Sequence, residues 1–366
     1  MQRTNESRLL RFLVSAALVL AGAVMVAGCE YLAINTPPGG LKKPAIAVNL
    51  PEKYNTPDGM TVDKDNNILL SVPNFNDPNY PAKILRISPD DGISEVVTLP
   101  KHPETGAYCG PLGVAVGADG NLYVADNQAF GTDEHKSRLL RITMKGGKGV
   151  KVEAVVTGLI MANGVCCRGD RVYVCETMLD KSVYPLPSGV YSFKLSELKG
   201  NKPIALKPGG DDRYLVMEFT TRNKEWQVGA NGIGFGLDGS LFVCNFGDAQ
   251  LIRAKLNADG SKAVSQEVFA EKSGMLCCDG LSVCPKTGNV FIADFLGNAL
   301  HCVCAKTGKV TTLAKNGNTD GAGGLLDRPS EPCVRGKRVY VANIDLPLAG
   351  NTYDKPHTVS VVDLDD

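Results

Sequence analysis

Four polar residues along the chain each stand directly before a glycine. They are Asp58, Asn163, Asn231 and Asp279, and the glycines that follow them recur at intervals near 50 residues, with one longer gap. A fifth glycine of the series follows Leu112 instead. Taken singly, an Asp-Gly or Asn-Gly pair is an ordinary turn signal. Four such pairs at one position of a repeat predict a shared role.

Oxygen-bearing side chains that converge on one point repel one another unless a cation lies among them. Two carboxylates and two amide carbonyls, completed by water, suit a hard divalent ion such as Ca²⁺. The two negative charges would also balance that ion. We therefore expect Asp58, Asn163, Asn231 and Asp279 to bind Ca²⁺ or another divalent cation. Glu331, in a sixth segment that aligns loosely, is either a further ligand or base, or a residue of a surface turn.

Six segments of the chain share one plan, which is needed to bring these residues together. Each has a small turn, a short apolar strand that begins at or near the glycine, a second turn with hairpin residues, and another strand. The segments are 56–72, 110–126, 161–176, 229–245, 277–294 and 330–343. Further strands are predicted at 83–88, 138–143, 250–256 and 299–304.

Four strands in each of six repeats predict an all-β fold, a six-bladed β-propeller with four-stranded blades. No amphipathic helix of convincing length separates the strands, so a parallel α/β fold is disfavoured. The strand at 45–50 is expected to pair with 357–364 in the last blade and close the ring, leaving no exposed sheet edge. The innermost strands of a propeller line its channel, so equivalent positions at their starts should converge.

The N-terminus reads as a targeting segment. A head with three arginines precedes an apolar run at 12–27, which is shorter than the ~20 residues that span a bilayer comfortably. The run ends in VAGC at 26–29, which resembles a bacterial lipobox. We expect a lipoprotein signal peptide at 1–28, lipid attachment at Cys29, a tether at 29–43 and the propeller at 44–366. An uncleaved anchor and an ordinary signal peptide are the alternatives.

On the lipoprotein interpretation the protein is held at the bacterial cell envelope, on the periplasmic or extracellular side, with the membrane as a partner through Cys29. Eleven further cysteines form no recognised metal or disulfide-scaffold spacing. Cys175 and Cys244 stand where other repeats have Ser or Ala, so we expect them to pack as small apolar side chains. Cys277 and Cys278 are expected to pack beside Asp279 or to line the wall of its site.

Two other groups of residues have a structural and a functional interpretation. Cys302 and Cys304 share one face of a strand, and a metal site there would need His301, which should point to the opposite face. Four polar residues end second strands and are expected to cap loops rather than to catalyse. They are Asp126, Glu176, Asn245 and Asp294.

The chain after the tether resembles the gluconolactonase, senescence-marker-protein and luciferin-regenerating-enzyme family of six-bladed propellers, and the related paraoxonases and strictosidine synthases. The stretch DGLSVCPKTGNVFIADF at 279–295 is similar to the paraoxonase strand that supplies a calcium ligand. The resemblance implies a catalytic ion held by an acid on the first blade, two Asn on the middle blades and an Asp on the next. These roles carry over to Asp58, Asn163, Asn231 and Asp279.

Three positions depart from the family pattern. Asp58 stands where the family commonly has Glu. Leu112 occupies the place of the paraoxonase catalytic histidine, and Met161 the place where gluconolactonases often have a sugar-binding arginine. Neither a histidine-based mechanism nor a sugar-lactone specificity is therefore implied.

The resemblance and the four polar residues imply metal-dependent hydrolysis of a lactone or related ester, with Asp279 as ligand and base. The departures favour a different class, a non-catalytic binding or scaffold lipoprotein with a structural ion. A lyase that acts on a cyclic ester through the same metal also stays open. We expect a small-molecule partner and a monomer. Zero net charge and 6% aromatic residues argue against a nucleic-acid surface.

Overall fold

The structure, a computed structural model, describes residues 40–77, 79–131, 135–207 and 213–364. The predicted signal peptide and Cys29 lie outside these residues. In the described part of the chain, six antiparallel sheets surround a central channel as six blades, and this confirms the all-β propeller. No helix among the described residues is long and apolar enough to cross a bilayer.

Within each blade the strands follow one another from the central channel outward. Blade one has strands Met60–Val62, Ile68–Val72, Lys83–Ile87 and Ile93–Thr98. Blade two has Pro111–Val116, Leu122–Asp126, Ser137–Lys145 and Lys148–Leu159, with Ile204–Ala205 added in parallel at its outer edge. Blade three has Ala162–Arg168, Arg171–Glu176, Leu186–Lys194 and Leu215–Thr221.

Blade four has Ala230–Phe235, Leu241–Asn245, Gln250–Leu256 and Ala263–Glu271, and blade five has Leu281–Val283, Val290–Asp294, Ala299–Val303 and Val310–Lys315. Blade six has Pro329–Arg335, Arg338–Asn343, His357–Asp363 and Ala45–Leu50. Short 3₁₀ turns lie at Leu195–Glu197 and Ala322–Gly324.

The ring closes as predicted from the sequence. Ala45–Leu50 forms the outer strand of blade six, antiparallel to His357–Asp363, and Leu50 lies opposite His357. The first and last parts of the propeller are thus held in one sheet, so blade six depends on both.

One excursion explains the longer gap between the third and fourth leading glycines. Between the third and fourth strands of blade three, the chain passes through Leu195–Glu197 and adds Ile204–Ala205 to the edge of blade two. It then returns as Leu215–Thr221. The excursion therefore lies at the outer edge of the propeller, and the inner strands keep their common positions.

The second strand of each blade is buried on both faces, because every sheet packs between two neighbours. The strands Ile68–Val72, Leu122–Asp126 and Val290–Asp294 have no exposed residue. Apolar clusters fill the spaces between adjacent blades, such as the cluster of blades two and three that includes Leu139, Val174 and Phe193. Burial of these side chains from water supplies the main force that holds the ring together.

Candidate metal centre

The glycines that start the inner strands allow neighbouring blades to touch backbone to backbone. A Cβ on Gly59 would overlap the Leu112 carbonyl, and one on Gly164 would overlap the Asn231 carbonyl. Direct bonds cross this contact, since the Gly232 amide donates to the Asp279 carbonyl at 3.0 Å. The residue before each glycine is therefore fixed beside the corresponding residue of the next blade.

Local strand irregularities aim the side chains that precede the glycines. The pairing register shifts between Ala162 and Val165 in blade three, and between Ala230 and Ile233 in blade four. Such a bulge places an extra residue on one strand and redirects its side chain. In these two blades the extra segment contains Asn163 and Asn231.

We call Asp58, Asn163, Asn231, Asp279 and Glu331 the axial cluster. All but Asp279 line one cavity, and Asp279 accepts a hydrogen bond from the Asn231 side chain and feels the charge of Asp58. Asp58, Asn163, Asn231 and Asp279 are buried, with 7–9% of their surface exposed. The structure thus brings all four predicted ligands together.

In blade six, the strand pairing places Glu331 one position later than the alignment of the sequence repeats did. Glu331 pairs with Ala342, so it takes the position that glycine holds in the other five blades, and Ser330 takes the position of the predicted ligands. Glu331 nevertheless faces the cavity, and its carboxylate lies over Gly280, where a Cβ would overlap it. The surface-turn interpretation of Glu331 is wrong, because the residue lies in the inner strand Pro329–Arg335 and its side chain fills the space that Gly280 leaves.

Burial makes the axial carboxylates hard to ionise. It raises the pKa of Asp58 to about 7, which a hydrogen bond from the Ser330 hydroxyl only partly opposes. Burial raises the pKa of Asp279 well above its usual range, and the charge of Asp58 adds to this while the Asn231 hydrogen bond opposes it. The pKa of Glu331 is raised by burial and then by both aspartates. Each carboxylate thus destabilises the charged form of the others.

The donor set fits a hard divalent cation. Three carboxylates and two amide oxygens meet here, and among the described residues that line the cavity none is Lys, Arg or His. A bound cation would balance the negative charge of buried carboxylates that have no basic partner. The three carboxylates are not all within 4.8 Å of one another. The amides of Asn163 and Asn231, which come from intervening blades, are therefore needed to complete a site.

The cavity extends from the axial cluster along the inner strands and has a volume of about 410 Å³. Its wall mixes apolar side chains, such as Ile233 and Phe235, with the hydroxyls of Thr61 and Ser282. Apolar side chains also gather at the end of the ring where the inner strands begin. Met161 and Met178 lie in one group there, and Phe246, Phe295 and Ile344 in another. Polar oxygens thus lie between a mixed channel and an apolar rim.

Leu112 and Met161, the two departures from the family pattern, are both apolar and buried. The Leu112 carbonyl accepts a hydrogen bond from the Ser71 hydroxyl at 2.6 Å, so this position ties two blades together. Met161 packs with Met178 and Leu186 in the rim. Both positions therefore have structural roles that need no polar side chain.

The polar residues that end second strands hold loops, as predicted. Glu176 accepts hydrogen bonds from the backbone amides of Ile160 and Met161, and Asp294 from those of Leu276 and Cys277. Asp126 accepts a hydrogen bond from the Gly110 amide in the same way, whereas Asn245 accepts one from the Thr221 hydroxyl of blade three and so joins two blades. They fix the chain that leads into the inner strands.

The cysteines pack as expected. Cys277 and Cys278 are fully buried free thiols, and burial raises the pKa of Cys277 well above its usual range. Cys175 and Cys244 are equally buried and free. His301 contacts Asp294 and Thr312 through its two ring nitrogens, so they are not directed at Cys302 and Cys304.

No protein-family model matches the sequence. A search of curated proteins likewise found no match. Solved structures do match. A luciferin-regenerating enzyme has a TM-score of 0.58 at 12% identity, over 87% of this chain and 94% of its own. A protein proposed to be a gluconolactonase has a TM-score of 0.55 at 17% identity, over 94% and 100%.

A calcium-binding regucalcin from Agrobacterium tumefaciens has a TM-score of 0.55 at 13% identity, over 87% of this chain and 92% of its own. Identities this low establish a common architecture rather than a common reaction. The chain therefore has the six-bladed propeller fold found in luciferin-regenerating enzyme, in a gluconolactonase-like protein and in regucalcin.

Proposed function

We propose that the protein is a calcium-dependent hydrolase of a lactone or related ester, with the axial cluster as its metal centre. The observation that carries the proposal is the meeting of buried carboxylate and amide oxygens from successive blades at the wall of a cavity. The matching structures include a calcium-binding protein and a protein proposed to be a lactonase, which supports the same chemistry.

In this proposal Asp58, Asn163 and Asn231 hold the ion, and Asp279 both holds it and acts as base. Bound Ca²⁺ supplies Lewis acidity toward the ester carbonyl oxygen. Asp279 takes a proton from water as the water oxygen bonds to the carbonyl carbon. The ester C–O bond then breaks, and the proton passes from Asp279 to the leaving oxygen.

The cavity wall suggests the class of ester. Ile233 and Phe235 line it, and among the described residues of this wall the axial carboxylates are the only charged groups. No arginine occupies the Met161 position to bind sugar hydroxyls. We therefore propose lactones or esters with an alkyl or aryl part in preference to sugar lactones.

A panel of alkyl lactones, sugar lactones and aryl esters tests this function, assayed with Ca²⁺ and with a chelator. Asp279→Ala and Asn231→Ala should each abolish most turnover, whereas Asp65→Asn, an exposed carboxylate on a hairpin of blade one, should not change it. Turnover that survives both axial substitutions would reject the metal mechanism.

The second candidate is a binding or scaffold protein in which the axial ion is structural. The apolar side chains of Leu112 and Met161 favour it, since neither can assist catalysis. Tight Ca²⁺ binding by the wild-type chain with no turnover of any ester in the panel would establish this alternative.

We also propose that the chain is a lipoprotein attached through Cys29 to the membrane of a bacterial cell envelope, on the periplasmic or extracellular side. The VAGC sequence at 26–29 supports this. Radiolabelled palmitate should be incorporated by the wild-type chain in a bacterial host and not by Cys29→Ser. Equal labelling of both would contradict the attachment site.

A further inference from the structure

A second group of carboxylates lies in blade six, outside the axial cluster. Asp327 comes just before the first strand of the blade, Asp345 just after the second, and Asp354 near the start of the third. Carboxylate oxygens from the three lie within 4.8 Å of one another. We call these residues, with Asn351, the blade-six cluster.

Several oxygens of this cluster are buried without a hydrogen-bond donor. Among the described residues, four buried side-chain oxygens have no partner, and three of them belong to Asp327, Asn351 and Asp354. Asp327 and Asn351 are 2% and 8% exposed. A buried acceptor without a donor is costly, and so many in one place indicate a missing positive ligand.

Asn351 links its unpaired oxygen to the carboxylates. Its Nδ2 donates to Asp345 Oδ1 at 2.8 Å, so the amide group lies against the cluster. Rotation of this amide would exchange its two ends and bring Oδ1 next to the Asp345 carboxylate. The Leu346 carbonyl, 3.2 Å from the same Nδ2, is a further oxygen at that point.

Neighbouring basic groups neutralise the cluster only in part. The charge of Arg328 acts on Asp327 and opposes the rise in pKa that burial causes, while its Nη1 and Nη2 donate to the carbonyls of Phe295, Leu296 and Ala349. The other charged groups that act on the cluster are Asp320, which adds negative charge, and His357. The Nε2 atom of His357 also contacts the Tyr353 hydroxyl and the Glu52 carboxylate. The three carboxylates therefore exceed the basic groups beside them.

We propose that the blade-six cluster is a second Ca²⁺ site, with Asp327, Asp345 and Asp354 as ligands and Asn351 as the amide ligand. A donor set of oxygens alone, three of them from carboxylates, suits a hard cation and offers no nitrogen or sulfur for zinc or copper. The site stands independently of the proposed hydrolysis, because it shares no residue with the axial cluster.

An ion here would also order the rim of the channel. The loop at 344–356 carries three of the four proposed ligands, and its Ile344, Leu346 and Leu348 pack with Phe246 and Phe295. The Asp345 carbonyl accepts a hydrogen bond from Asn76 Nδ2 at 3.1 Å, which joins the loop to blade one. Binding at this site therefore sets the shape of one side of the rim.

Calcium titration of the full chain after chelator treatment tests the proposal. The wild-type chain should bind two Ca²⁺ ions. Asp279→Asn should lose the axial ion and keep the ion in blade six. Adding Asp327→Asn to Asp279→Asn should lower the affinity for the remaining ion by about tenfold or more. The matched control is Asp65→Asn, an exposed carboxylate on a hairpin of blade one, which should leave both affinities unchanged. Unaltered binding in folded Asp327→Asn and Asp345→Asn would overturn the site.

A second measurement covers the case in which the buried variants fail to fold. Tyr353 is adjacent to Asp354, so excitation of tyrosine should sensitise emission from Tb³⁺ bound at this site. The emission should fall several-fold in Tyr353→Phe, which removes no ligand, and should need more Tb³⁺ in Asp354→Asn, whose side chain is only half-buried. Emission unaffected by both substitutions would contradict the proposal.

Discussion

The axial cluster and the blade-six cluster both gather buried carboxylates, but they are built differently. The axial cluster takes its residues from five blades, each held by an inner strand and by bonds between blades. The blade-six cluster takes Asp345, Asn351 and Asp354 from one loop, and Asp327 from the chain beside it. The first is fixed by the ring, and the second depends on the conformation of a loop.

The surroundings of the two clusters also differ. The axial cluster borders a cavity of about 410 Å³, so a substrate can approach its oxygens. Asp327 and Asp345 are only 2% and 3% exposed and pack under the loop. For this reason we assign the proposed chemistry to the axis and propose a structural ion in blade six.

The largest expected difference concerns turnover. Asp279→Asn should lower kcat by a factor on the order of 10²–10⁴, because it removes the base and a ligand together. Asp345→Asn should cost far less, since it acts only through the shape of the rim. Ester hydrolysis at saturating Ca²⁺ measures both. Equal losses would show that the two clusters do not have separate roles.

The pH dependence of stability is the next largest effect. Burial raises the pKa of Asp58 to about 7, that of Asp327 to about 8 and that of Asp345 to about 7, from 3.8. The folded state therefore holds protons that the unfolded state has lost, so in chelator the free energy of unfolding should fall as pH rises from about 4 to 8. Asp58 alone should contribute on the order of 4 kcal/mol.

Denaturant unfolding across this pH range measures the effect, and single substitutions assign it to each cluster. Asp58→Asn should remove the share of the slope that Asp58 contributes at the axis, and Asp327→Asn the share that Asp327 contributes in blade six. Saturating Ca²⁺ should flatten the slope of the wild type. A free energy of unfolding that rises with pH in chelator would contradict the burial of these groups.

Glycine substitutions give the smallest effect and separate packing from loop conformation. Gly164→Ala places a Cβ against the Asn231 carbonyl and should cost about 1–3 kcal/mol through overpacking, with weaker axial Ca²⁺ binding. Gly350→Ala meets no atom within 4 Å, but its φ of +77° disfavours a side chain, so it should cost about 1 kcal/mol. Thermal unfolding and calcium titration measure both, and a larger cost at Gly350 would reverse the contrast.

The difference between the clusters also explains what could be predicted from the sequence. The axial residues recur once per blade before a glycine, so aligning the repeats identified Asp58, Asn163, Asn231 and Asp279 together. The closing strand at 45–50 followed from the same alternation of apolar residues. These features repeat because every blade must pack against its neighbour in the same way.

Features that do not repeat could not be predicted in this way. Asp327, Asp345, Asn351 and Asp354 occur only in blade six, where nothing in the other segments corresponds to them. The pairing of Glu331 with Ala342 was also missed, because the sixth segment has no glycine to mark its register. The sequence signal for the second cluster is the pair Asp345 and Asp354 on either side of Asn351, in a stretch that the other segments lack.

The central claim is that the propeller axis binds a divalent cation through one oxygen-bearing side chain from each of several blades. A crystal of the calcium-loaded protein, with its anomalous diffraction, tests it most directly. We predict an ion on the axis at about 2.3–2.6 Å from oxygens of Asp58, Asn163, Asn231 and Asp279. No anomalous peak at the axis in saturating Ca²⁺ would contradict the account, even if the blade-six cluster were occupied.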